Sequence, residues 1–123
     1  MDMFRDFTAV DGIPIYSQII SHLKRGMVAG TVRHGDELPS RRVLSALLGV
    51  NPNTVQKAYR LLEEEGLIQS HSGAKSYVVL SADVLKRVRD ELLESEISAM
   101  IRAMQQMGLS EQEAVFLLKK HWK

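Results

Sequence analysis

Leu47-Leu48-Gly49-Val50-Asn51-Pro52-Asn53-Thr54-Val55-Gln56-Lys57-Ala58-Tyr59 decides how this chain folds. Gly49 stops one apolar, helical stretch, and Asn51-Pro52 restarts another as an N-cap followed by proline at the first helical position. The helix before the stop has Ser40 as its cap and draws an apolar face from Val43, Leu44, Leu47 and Leu48. The helix after it continues through Val55, Ala58, Tyr59, Leu61 and Leu62 to Gly66. Two short helices separated by Gly49-Val50-Asn51 meet the outline of a helix-turn-helix.

Outward from this pair, the pattern changes on both sides. Leu67-Ile68-Gln69-Ser70 and Tyr77-Val78-Val79-Leu80 are β-prone runs around the polar turn His71–Ser76, which predicts a hairpin, the wing of a winged helix. Upstream, Tyr16, Ile19, Ile20, Leu23 and Met27 recur at helical spacing, closed by Gly30. Gly35–Pro39 reads as a loop with a short strand at its end, and residues 1–12 carry little pattern. The core of this part is expected from Tyr16, Ile19, Leu23, Leu47, Val55, Leu61 and Leu62.

Beyond residue 80 a long amphipathic helix is expected. Leu93, Ile97, Met100, Met104 and Met107 step by four, three, four and three residues, the spacing of a helix–helix seam. Gly108 breaks it, and Ser110 with Glu113 forms a capping box for a last helix. The fold class expected is mainly α with a small β-hairpin: a winged helix-turn-helix over residues 1–80 and a helical dimerisation region over 81–123.

Composition narrows the function. The 123 residues hold 45% hydrophobic and 25% charged positions and no cysteine, which excludes disulfides and thiolate chemistry. No apolar run is long enough for a membrane span and no signal peptide is visible, so a cytoplasmic protein without a membrane partner is expected. The net charge is only +1, but its distribution is uneven. Between Leu38 and Leu62 stand Arg41, Arg42, Lys57 and Arg60 and no acid. Such a segment can meet a polyanion, or it can be an ordinary solvated helix face.

In a helix-turn-helix the second helix enters the major groove by its N-terminal end. Here that end offers Asn51, Asn53, Thr54 and Gln56 to base edges, with Lys57 and Arg60 suited to phosphates. Ser40, Arg41 and Arg42 at the start of the preceding helix form a candidate phosphate clamp. Double-stranded DNA is therefore the expected partner. A protein-docking winged helix is the rival reading, and the acid-free basic segment weighs against it. An enzyme lacks any assembled acid–base set: the four histidines show no metal-ligand spacing, and Glu63, Glu64 and Glu65 point in different directions on a helix. No catalytic residue, metal or cofactor is expected.

Four motifs in order resemble the GntR family of bacterial transcription regulators. They are Pro14-Ile15-Tyr16-Ser17-Gln18-Ile19, Gly35-Asp36-Glu37-Leu38-Pro39-Ser40-Arg41-Arg42, the opening stretch from Leu47 to Tyr59, and Leu62-Glu63-Glu64-Glu65-Gly66-Leu67-Ile68. The two short C-terminal helices resemble its YtrA subfamily. The resemblance implies a homodimeric repressor, often of a transporter operon, and the two-fold symmetry of a dimer then calls for inverted half-sites. It gives Ser40 and Arg42 to a motif whose arginine contacts DNA, and Asn51, Asn53, Thr54 and Gln56 to recognition positions. It puts Ser72 and Gly73 at the wing tip near the minor groove. Lys75 stands where the family often has a second glycine, and Pro52 where an arginine is common. Dimerisation is expected through Leu93, Ile97, Met100, Met104 and Met107. The operator and any small-molecule effector are not legible, and room for an effector is expected at the dimer or interdomain boundary.

Overall fold

A computed structural model of the chain describes residues 3–71 and 75–123. Its elements run α1 (Ile15–Ala29), α2 (Arg41–Leu48), α3 (Pro52–Glu64), β1 (Ile68–His71), β2 (Lys75–Val78), α4 (Ala82–Gln106) and α5 (Glu111–His121). Two compact units divide between Arg89 and Asp90.

In the first unit, α1 turns Ile19, Leu23 and Met27 inward at helical spacing. They meet Val55, Ala58, Tyr59 and Leu62 of α3 and Leu44 of α2 in one buried cluster. Gly26 allows α1 to end as it does. Its carbonyl accepts from the amides of Thr31 and Val32 (2.9 and 3.0 Å), and a Cβ at Gly26 would stand 2.5 Å from Val32 Cγ2.

The helix-turn-helix forms where the sequence places it. Ser40 caps α2 by accepting from Val43 N, and Asn51 caps α3 by accepting from Asn53 N. Between them Gly49 takes the left-handed conformation (φ 68°), and Val50 N donates to Ser45 O.

Two expectations for the core need correction. Leu47, expected inside, is 60% exposed, and its neighbour Val43 is 55% exposed. Helix α2 has only eight residues, and its inward stripe is Leu44, Ser45 and Leu48, one helical step away from the Val43 and Leu47 stripe. Tyr16 and Leu61 are half-buried. The N-terminal stretch, patternless in sequence, supplies the buried Phe4, with Met3 and Phe7 packed on the core. Phe4 stacks on His22 at 5.0 Å between centroids, and His22 Nε2 makes a 2.6 Å hydrogen bond with Met3 O.

The hairpin is antiparallel, with Ile68 opposite Val78 and His71 opposite Lys75. Pairing thus runs closer to the turn than the expected strand limits, and Val79 and Leu80 lie outside β2. A further segment lies along the far side of β2. Glu37 bridges Tyr77, Leu38 N donates to Ser76 O at 2.9 Å, and Val78 N donates to Asp36 O at 2.9 Å. These bonds hold Ser76, which is buried, in extended conformation.

The first unit also continues past the boundary expected at residue 80. Ser81 accepts from Val84 N at the start of α4, and Val84 and Leu85 pack on the core. Val88 is buried within it at 2% exposure. The apolar spacing of this helix looks uniform in sequence, so the change of partner along it is not visible there.

The second unit comprises α4 from Asp90 onward and α5. Ser110 and Glu113 form the expected capping box, with both reciprocal bonds present. Leu93, Ile97, Met100 and Met107 are exposed and Met104 is half-buried. Ile101, Phe116, Leu117, Leu118 and Trp122 are exposed too, Trp122 by 80%. Among the described residues, no helix is long and apolar enough to cross a membrane.

Candidate nucleic-acid interface

The turn before α2 and the first turns of α3 bring the expected residues into one region of the winged unit. Ser40, Arg42, Asn51, Asn53, Gln56, Lys57 and Arg60 are exposed, while Arg41 and Thr54 are half-buried. Two of the polar side chains already serve the backbone. Ser40 Oγ accepts from Val43 N at 3.1 Å, and Asn51 Oδ1 accepts from Asn53 N at 2.8 Å. Their capping bonds order the helix starts, so any contact they make with a ligand adds to that role. Asn53, Thr54 and Gln56 follow on the first turns of α3 and can meet base edges as donors and acceptors.

The four cations differ in how they are held. Arg42 is exposed. Arg41 lies with its guanidinium carbon 5.2 Å from the Tyr59 ring centroid, and its Nε is enclosed without a hydrogen-bond partner among the described residues. That nitrogen is therefore closed to an arriving anion. Lys57 Nζ stands 4.0 Å from the Tyr16 ring centroid, and Arg60 pairs with Glu64 at 2.9 Å. An exposed pair of the last kind contributes about 0–1 kcal/mol, so a phosphate can displace it.

Tyr59 ties the region together. Its hydroxyl donates to Pro39 O at 2.7 Å, joining α3 to the turn just before Ser40 and the α2 residues Arg41 and Arg42. Burial pushes the Tyr59 phenol pKa well above its ordinary value, and the Arg41 charge offsets this in part. Spacing assigns Tyr16 to the core and puts Tyr59 on the helical run of α3. Their second role, as platforms under Lys57 and Arg41, pairs residues on different elements, and no local pattern announces it.

On the wing, Lys75 is exposed opposite His71, whose ring meets Tyr77 edge-on at 5.1 Å. Ser72 and Gly73 lie outside the described residues. A hollow of about 340 Å3 opens between the N-terminal stretch and α1, beside Phe7, Gln18 and His22. Its polar lining is partly engaged already: the Gln18 amide bonds Val10 N, Val10 O and Ile13 O.

A helix-turn-helix with a hairpin wing and a polar, basic reading end is the architecture of a DNA-binding transcription regulator rather than of an enzyme. The family model for bacterial regulatory proteins of the gntR family matches residues 15–78, and the chain belongs to that family. The Bacillus subtilis (strain 168) HTH-type transcriptional regulator YhcF is 29% identical over 100 residues, covering 81% of this chain and 83% of that protein. The HTH-type transcriptional repressor YtrA of the same organism is 46% identical over 65 residues, which are 53% of this chain and half of that one. A GntR family transcriptional regulator from Listeria monocytogenes superposes with a TM-score of 0.80 at 30% identity, covering 91% of this chain and 98% of its own.

Proposed function

We propose that this regulator is a homodimeric, sequence-specific repressor working in the cytoplasm. The observation that carries the DNA reading is the exposed run Asn53, Gln56 and Lys57, with Thr54 half-buried among them, beside Arg42 in a segment without an acid. Asn53, Thr54 and Gln56 read base edges; Arg41, Arg42, Lys57, Arg60 and Lys75 meet phosphates. Ser40 and Asn51 hold the two helix starts.

The homodimer rests on the second unit. Leu93, Ile97, Met100, Met104 and Met107 form a stripe that α5 leaves largely uncovered. A two-fold partner covers such a stripe, and two-fold dimers are the commonest assembly. The exposed Ile101, Phe116 and Trp122 extend the apolar surface beyond the expected seam. Symmetry then calls for inverted half-sites about 10–10.5 bp apart, or a multiple of that spacing. Repression follows the similarity to YtrA, and an operon such as one encoding a transporter fits the subfamily resemblance.

Selection from a random duplex pool with the purified full chain tests this reading. The expected result is an inverted repeat at that spacing, bound with steep salt dependence. Recovery of no consensus, or retention on duplex DNA that ignores salt, refutes it.

A further inference from the structure

Lys57 and Arg60 leave α3 one turn apart, yet they rest on different kinds of partner. The Arg60 guanidinium is 2.9 Å from the Glu64 carboxylate, which cancels its charge locally. The Lys57 ammonium is 4.0 Å from the centre of the Tyr16 ring. An aromatic face attracts a cation through its quadrupole and carries no net charge. The ring therefore does not cancel the ammonium's charge, and the exposed Lys57 head group can still donate to an acceptor on the side away from the ring.

The platform is itself fixed. Tyr16 is in the first turn of α1, half-buried and packed against the core that joins α1 to α3. A lysine stem turns about several single bonds, and holding its head group in one place removes freedom that binding would otherwise have to remove.

We propose that Tyr16 is a positioning residue for DNA binding, whose ring on α1 presents the Lys57 ammonium to a backbone phosphate. This rests on the DNA-contacting face assigned above. Tyr16 acts through Lys57, so its influence is uniform across sequences and disappears when Lys57 is absent.

The test is a double-mutant cycle on the full-length protein, read by gel-shift titration against the selected operator and a scrambled duplex. Urea midpoints confirm that each variant is folded. Tyr16→Leu is expected to weaken both duplexes by about two- to fivefold, the size of an exposed cation–ring contact. Tyr16→Phe keeps the ring and is expected to retain wild-type affinity. Lys57→Ala alone should weaken all sequences and lower the salt slope by about 0.9. In the Lys57→Ala background, Tyr16→Leu should add nothing.

Equal losses from Tyr16→Leu and Tyr16→Phe overturn the proposal, as does a Tyr16→Leu loss that persists without Lys57. A silent Tyr16→Leu, with wild-type binding and the Lys57→Ala loss intact, removes the positioning role alone. A wild-type protein that selects no DNA sequence removes the face on which it rests.

Discussion

Cutting the chain after Leu80 keeps the helix-turn-helix and both strands, yet it should leave a badly weakened fold. The fragment loses Val84, Leu85 and Val88, which the winged unit packs into its core. Val88 is 2% exposed, and burying such a side chain contributes roughly 1.5–3 kcal/mol. Val84 and Leu85 are half-buried and add roughly 1 kcal/mol each by the same scale. The loss of about 4 kcal/mol compares with a total stability on the order of 5–15 kcal/mol for a domain. A fragment ending at Arg89 retains all three residues and the Ser81 cap. Urea unfolding followed by far-UV circular dichroism separates the two. At a slope of about 1–2 kcal/mol per molar, the shorter fragment should unfold about 2–4 M earlier. Val88→Ala in the longer fragment should account for about 2 kcal/mol, from two lost methyl groups and the cavity they leave. Coincident midpoints for the two fragments would refute the assignment of this helical segment to the winged unit.

Arg42→Ala should weaken operator binding with the urea midpoint unchanged, and a salt slope lower by about 0.9 would mark the contact as phosphate. Asn53→Ala and Thr54→Ala should each relax the selected consensus at one or two positions, at about 1–3 kcal/mol per lost base contact; an unaltered consensus would move base reading elsewhere. The Tyr59 phenol is held neutral in the fold with a pKa raised above its ordinary value of 10.0. The stability this contributes is complete below pH 10 and is lost as pH rises from there through the folded value. Urea midpoints on either side of pH 10 should therefore fall more for the wild type than for Tyr59→Phe, which has no phenol to ionise. Replacing Ile97 and Met100 together with Asp should turn a sedimenting dimer into a monomer and weaken operator binding; an unchanged dimer would place the interface elsewhere.

The parts legible in sequence are those whose determinants are local. Ser40, Gly49, Asn51 and Pro52 mark the ends of two helices within a dozen residues, and α2 and α3 form at those marks. Ser110 and Glu113 do the same for α5. Burial depends on partners that spacing does not name. Leu47 continues an apolar pattern but falls on the outer side of an eight-residue helix. Phe4 belongs to no periodic run, yet it joins the buried core cluster and stacks on His22, which lies far along the chain. The candidate site divides the same way. Its polar residues stand in order along one segment, whereas each ring lies on another helix than its cation: Tyr16 of α1 under Lys57 of α3, and Tyr59 of α3 under Arg41 of α2.

The helix-turn-helix is fastened at both ends: Val50 N bonds Ser45 O inside the turn, and Tyr59 bonds Pro39 O where α2 begins. Leu44, Val55, Ala58 and Tyr59 fill the space between with buried side chains. Changing the angle between α2 and α3 would uncover several of these, at roughly 1.5–3 kcal/mol apiece. Coupling between an effector and a second site is typically about 1–3 kcal/mol in total, less than such a rearrangement requires. The pair thus behaves mechanically as a single stiff part with no internal hinge. A signal that governs this protein has leverage over where that part stands, and almost none over its shape.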